Sequence, residues 1–195
     1  PGRVGVLSPT YAEHAHAWRR TGHRVELLAA AESDAALDGL NALVAVNPNN
    51  PTGARFSVAA LLDWRARLAA RGGWLVVDEA FMDATPAESL AVHAGLPGLI
   101  VLRSLGKFFG LAGARVGFTL AEPALLEVLR ERLGPWAVSG PGRWVARHAL
   151  ADRNWQNQTR CQLTRTGNRL ADLLKRQGLP VAGGVGLFQW VPMVE

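Results

Sequence analysis

The sequence predicts an α/β fold: three layers around a mostly parallel sheet, followed by the start of a smaller α+β unit. Two observations predict it. Short, nearly continuous apolar runs recur along the chain, the pattern of strands covered on both faces. Between them stand segments with apolar residues at helical spacing and glycine stops. Alternation of the two patterns builds a sheet with helices on either side.

The elements follow in order. RVGVLS (3–8) is the first strand, and YAEHAHAWRRTG (11–22) is a helix closed by glycine. HRVELLA (23–29) and ALVAVN (42–47) are the next strands, and SVAALLDWRARLAARGG (57–73) is a helix ending on two glycines. WLVVDEA (74–80), LIVLRS (99–104) and RVGFTLA (115–121) complete six strands, with EPALLEVLRERLG (122–134) as the next helix. GPWAVSGPG (134–142) is punctuated by Pro and Gly and reads as a connection. One long polar helix is predicted over 142–177, then a strand pair within LPVAGGVGLFQWVPM (179–193). The expected units are 1–138 and 139–195. A chain that opens on a strand and stops just after one is expected to be a piece of a longer protein.

Composition narrows the function classes. Of 195 residues, 49% are apolar and 19% charged, a globular balance. The net charge of +5 comes from nineteen arginines spread singly, with no basic stripe interleaved with aromatics, which argues against a nucleic-acid surface. No apolar run is long enough to cross a bilayer. One cysteine, Cys161, cannot form an internal disulfide, and no Cys/His spacing suits zinc. His14 and His16, two apart on a helix, point away from each other and suggest no metal site. A reducing cytoplasm is the expected location.

In a parallel sheet, ligands sit beyond the carboxyl ends of the strands. Polar groups stand there after four of the predicted strands: SPTY (8–11), NPNNPTG (47–53), DEAF (78–81) and RSLGK (103–107). Taken alone, NPNNPTG is a structural turn, because its two Asn-Pro steps and glycine impose extended and tight conformations. Asp78 and Glu79 alone would serve equally as a helix cap or a solvated edge. Lys107, one of only two lysines, lies among Phe108, Phe109, Gly110 and Leu111. That setting predicts a desolvated amine with a lowered pKa, suited to attack a carbonyl; otherwise it would be a lysine snorkelling from a helix end. Trp136 and Ser139, in the connection, are expected to pack between the two units rather than to line the mouth of a site.

In order and approximate spacing, NPNNPTG, VVDEAF and SLGKFFGLAGARVG together resemble the fold-type I pyridoxal-phosphate enzymes of aminotransferase class I/II. The resemblance covers the later part of that family's large domain and the start of its small one. It implies pyridoxal 5'-phosphate as cofactor, with Lys107 as the Schiff-base lysine and Asp78 as the carboxylate partner of the pyridine nitrogen. It likewise implies Asn50 as donor to the ring's phenolic oxygen and Tyr11 as the aromatic on the ring face. Ser104 and Arg115 match the residues that grip the phosphate. A homodimer and a small-molecule amino-acid phosphate substrate are also implied. The chain departs from the aminotransferase pattern at Phe81, where tyrosine is usual, and at Gly106, where serine is common. With LGPWAVSGPG, these features resemble the threonine-phosphate decarboxylase branch more than the histidinol-phosphate aminotransferases, and the latter stay open as the alternative. A regulator's domain that senses the cofactor is the alternative outside catalysis.

Overall fold

A computed structural model describes residues 1–193; the last two residues of the expected second unit, 194–195, lie outside the described residues. Six strands form one sheet: β1 (Arg3–Leu7), β2 (Arg24–Leu28), β3 (Ala42–Val46), β4 (Trp74–Asp78), β5 (Leu99–Ser104) and β6 (Gly117–Ala121), in the order β2-β1-β3-β4-β5-β6. All neighbours are parallel except β5 and β6, which run antiparallel with Arg103 opposite Phe118. β3 lies inside the sheet and every one of its residues is buried, which is why ALVAV carries no polar side chain.

Helices cover both faces. On one side, α3 (Val58–Ala69) sets Leu61, Trp64 and Leu68 on Leu43, Leu75, Leu99 and Val101. Its N-cap Ser57 accepts the N–H of Ala60 at 3.2 Å. On the other, α1 (Glu13–Arg20) brings Ala15 against Val4, Val6, Val44 and Val76. A short helix α2 (Ser33–Ala36) and tight helical turns link β2 to β3 and β4 to β5, where no regular element was expected. α4 (Pro123–Leu133) follows β6, with proline in its first turn.

The polar helix expected over 142–177 is two helices, α5 (Gly140–Ala151) and α6 (Arg153–Arg176). Asp152 leaves helical geometry between them, and its carboxylate accepts the N–H of Trp155 at 2.9 Å. The predicted strand pair is the hairpin β7 (Gly183–Val185) and β8 (Phe188–Trp190), a separate two-stranded sheet. No helix among the described residues is long and apolar enough to cross a membrane.

Candidate active site

The chain leaves β1 toward β2 on one side and reaches β3 on the other, so the strand order reverses between β1 and β3. Such a reversal parts the loops and opens a crevice at the carboxyl edge. The three asparagines of the loop after β3 divide the work. Asn47 is buried and closes the loop on itself, donating to the carbonyl of Phe56 at 3.3 Å and accepting its N–H at 3.0 Å. Asn49, also buried, donates to the carbonyl of Pro9 at 2.8 Å and accepts the Thr10 hydroxyl at 2.6 Å. These bonds tie the loop to the SPTY turn, and Asn50 is the member that faces the crevice.

The crevice is a cavity of about 290 Å³ lined by Tyr11, Asn50, Asp78, Phe81, Ser104 and Lys107, among others. Five of the six predicted site residues therefore meet, although they come from the carboxyl ends of four separate strands and the loops that follow them. Arg115 is not in the lining. It is exposed and left-handed (φ 53°) at the end of the turn Ala112–Ala114, just before β6. Asp78 is anchored on both carboxylate oxygens: Oδ1 accepts the N–H of Ala80 at 2.9 Å, and Oδ2 lies 2.8 Å from Nε2 of His14. A carboxylate only accepts, so Nε2 carries the proton. Ser104 Oγ accepts the N–H of Gly106 at 3.0 Å, and its own hydroxyl hydrogen is not fixed by that bond. The half-exposed Tyr11 sets its ring edge-on to His14, with centroids 5.8 Å apart.

Two expectations are corrected, and one residue was missed. Lys107 is exposed rather than enclosed, because its apolar neighbours turn away from it. Phe108 and Phe109 are buried in a separate cluster against Trp155 of α6. The amine instead stands over the Phe81 ring, 5.5 Å from its centroid. Trp136 packs between no units: it is 90% exposed, at φ 60°. Ser139 is the N-cap of α5, accepting the N–H of Gly142 at 3.1 Å. His14, read beside His16 only as suggesting no metal site, is the partner of Asp78. Its ring meets that of Tyr11, three residues earlier, but no local pattern marks its bond to Asp78.

The residue beside Asp78 behaves differently. Glu79 is fully buried, and burial holds its carboxyl above the usual carboxylate range, against bonds from Ser89, Leu90 and Arg103. Burial likewise raises Asp83, opposed mainly by Arg103.

A carboxylate held on two sides, an accessible amine, a hydroxyl, a carboxamide and an open aromatic face suit one planar, anionic, nitrogen-containing ring bearing a carbonyl. Known proteins similar in sequence to this chain are numerous. Threonine-phosphate decarboxylase of Pseudomonas aeruginosa is 62% identical over 96% of this chain and 57% of its own length. Histidinol-phosphate aminotransferase of Shewanella amazonensis is 35% identical over 96% of this chain and 56% of its own length. The chain thus spans a little more than half of these curated relatives. In fold it matches the histidinol-phosphate aminotransferase of Sinorhizobium meliloti, solved in complex with pyridoxal-5'-phosphate, at a TM-score of 0.84 and 21% identity over 95% of this chain and 53% of that one. A model of the aminotransferase class I and II family matches residues 2–193, and the chain belongs to that family.

Proposed function

We propose that the full-length protein carrying this sequence binds pyridoxal 5'-phosphate in the crevice. Its reaction is then the decarboxylation of L-threonine O-3-phosphate to (R)-1-amino-2-propanol phosphate, a step of adenosylcobalamin biosynthesis. The observation that carries the reading is the meeting of Lys107, Asp78, Asn50, Tyr11 and Ser104 around one cavity, in a chain 62% identical to a threonine-phosphate decarboxylase. When bound, the cofactor supplies an electron sink for the pair released as the carboxylate leaves.

The chain's own residues do the rest. Asp78, backed by His14 and the Ala80 N–H, offers a fixed negative partner to a protonated ring nitrogen. Tyr11 covers one ring face, and Asn50 donates to the phenolic oxygen. Ser104 supplies a hydroxyl to the phosphate, and Arg115, which does not line the cavity, is the guanidinium that the family pattern assigns to it. Lys107 anchors the cofactor, and its Nζ or a nearby acid delivers the proton that takes the departing carboxylate's place on the substrate carbon. Phe81 brings no hydroxyl to the site. The wall beside the amine is therefore apolar, continued by Phe188 edge-on to Phe81 at 5.1 Å. We take 1–138 as the later part of the cofactor-binding domain and 139–195 as the beginning of the small one, in a cytoplasmic homodimer.

The test incubates the full-length protein with L-threonine O-3-phosphate and, separately, with histidinol phosphate plus 2-oxoglutarate. Carbon dioxide release in the first arm supports the proposal. Glutamate formation in the second, without carbon dioxide in the first, replaces it with the aminotransferase reading, which the Shewanella relative favours. Cofactor binding with turnover in neither arm points to a sensing domain.

A further inference from the structure

Register pairing of β4 with β5 ends at Asp78 opposite Leu102, and a last backbone bond runs from the Glu79 N–H to the Leu102 carbonyl at 2.9 Å. Beyond it the two chains separate: 79–98 leaves the sheet in short helical turns, and 105–116 forms the turn that carries Lys107. Asp78 thus sits on the last rung of the β4–β5 ladder, and Ser104 lies two residues past that rung, paired with Gly117 of β6 and not with β4.

A buried ionic knot takes over at that point. Glu79, next to Asp78, turns to the opposite face of the strand, where Oε1 accepts the Leu90 N–H at 2.6 Å and Oε2 the Ser89 hydroxyl at 2.5 Å. Arg103, next to Ser104, donates from Nη1 to Glu79 Oε2 at 3.2 Å and to Ser89 Oγ at 3.0 Å, and from Nη2 to the Asp83 carboxylate. The carbonyl of Asp83 in turn accepts Arg160 Nε of α6 at 2.9 Å. Arg103 is largely buried and borders the cavity, but its guanidinium is engaged by these two carboxylates. A planar guanidinium presents its N–H groups in a fixed fork, so it fixes the separation of two acceptors as a point-charge ammonium does not.

We infer that Arg103 is a positioning residue: through Glu79 and Asp83 it locks the end of β4, which carries Asp78, to the end of β5, which carries Ser104. Resting on the reading of the crevice as a cofactor site, this sets the span between the group that meets the ring nitrogen and the group that meets the phosphate. Neither Glu79 nor Asp83 lines the cavity.

The test compares affinities of the full-length apoprotein for pyridoxal 5'-phosphate and for pyridoxal, which lacks the phosphate, by absorbance titration beside thermal unfolding. Arg103→Met should weaken the phosphorylated form about tenfold or more and pyridoxal far less, so the preference for the phosphate shrinks. Arg103→Lys should recover thermal stability without recovering that preference. Asp83→Asn, which leaves the guanidinium one neutral acceptor, gives the same direction if Arg103→Met does not fold. Equal weakening of both ligands in these variants, or an unchanged preference, overturns the inference and leaves Arg103 as a stability residue only. Wild-type apoprotein that binds neither ligand overturns the site reading and the inference with it. A Lys107→Ala variant that keeps the wild-type absorbance band does the same.

Discussion

Lys107 illustrates how far a single residue can be read. Arginine is the cation of this chain almost everywhere, and a primary amine is the group that condenses with a carbonyl. Its residue type was therefore informative, but its environment was not: a side chain's neighbours in sequence need not be its neighbours in space. Phe108 and Phe109 point into the cluster around Trp155, and the amine meets Phe81, 26 residues away in sequence. In the full-length protein, Lys107→Ala is expected to abolish turnover and the cofactor's visible absorbance while leaving the far-ultraviolet circular dichroism intact. His14 is a second residue-scale case, because its partner Asp78 is 64 positions away. A hydrogen bond to a charged group contributes about 1.5–3 kcal/mol, so His14→Ala should lower kcat/KM roughly ten- to a hundredfold with a small change in Tm. An unchanged kcat/KM would mean that the Ala80 N–H alone suffices to hold Asp78.

Among the elements, strands were legible to within two residues, because burial on both faces leaves an apolar run with little ambiguity. The single helix expected over 142–177 was in fact two, and the break is at Asp152. Its capping role was readable from residue type, but helical periodicity runs on either side of it and masked the stop. The loop after β3 carries a constraint that the sequence shows only as glycines. Thr52 and Gly53 pack backbone to backbone on β7, so a Cβ on Gly183 would collide with the Thr52 carbonyl and one on Gly53 with the backbone of Gly184. Gly53 also has φ 71°, which disfavours any side chain there. Gly183→Ala should therefore destabilise by about 1–3 kcal/mol in chemical denaturation. Gly95→Ala, where a Cβ meets nothing within 4 Å, should stay within about 0.5 kcal/mol. Equal effects at the two positions would show that the loop shifts freely against the hairpin.

At the scale of the whole molecule, Glu79 links folding to pH. Burial raises its folded pKa above the unfolded value of about 4.3, so the folded protein keeps a proton that the unfolded chain releases. The resulting stabilisation is complete below the unfolded value and is lost as pH rises through the raised folded one. Glu79→Gln does not titrate, so its stability relative to wild type should increase between about pH 4 and pH 7 in denaturant titrations. A relative stability that falls over that range would mean that Arg103 outweighs the cost of burial.

The sequence by itself determined the alternation of strands and helices, the four polar turns and the residue types the chemistry needs, because each depends on local periodicity and on the chemistry of single side chains. Only the tertiary structure decided which of those residues meet. The strand order places the ends of β1, β3, β4 and β5 around one crevice, and strand alternation sends Asp78 into it and Glu79 to the opposite face. The partnership of His14 with Asp78, the knot around Arg103 and the exposure of Lys107 depend on contacts between segments far apart in the chain, which no local pattern records.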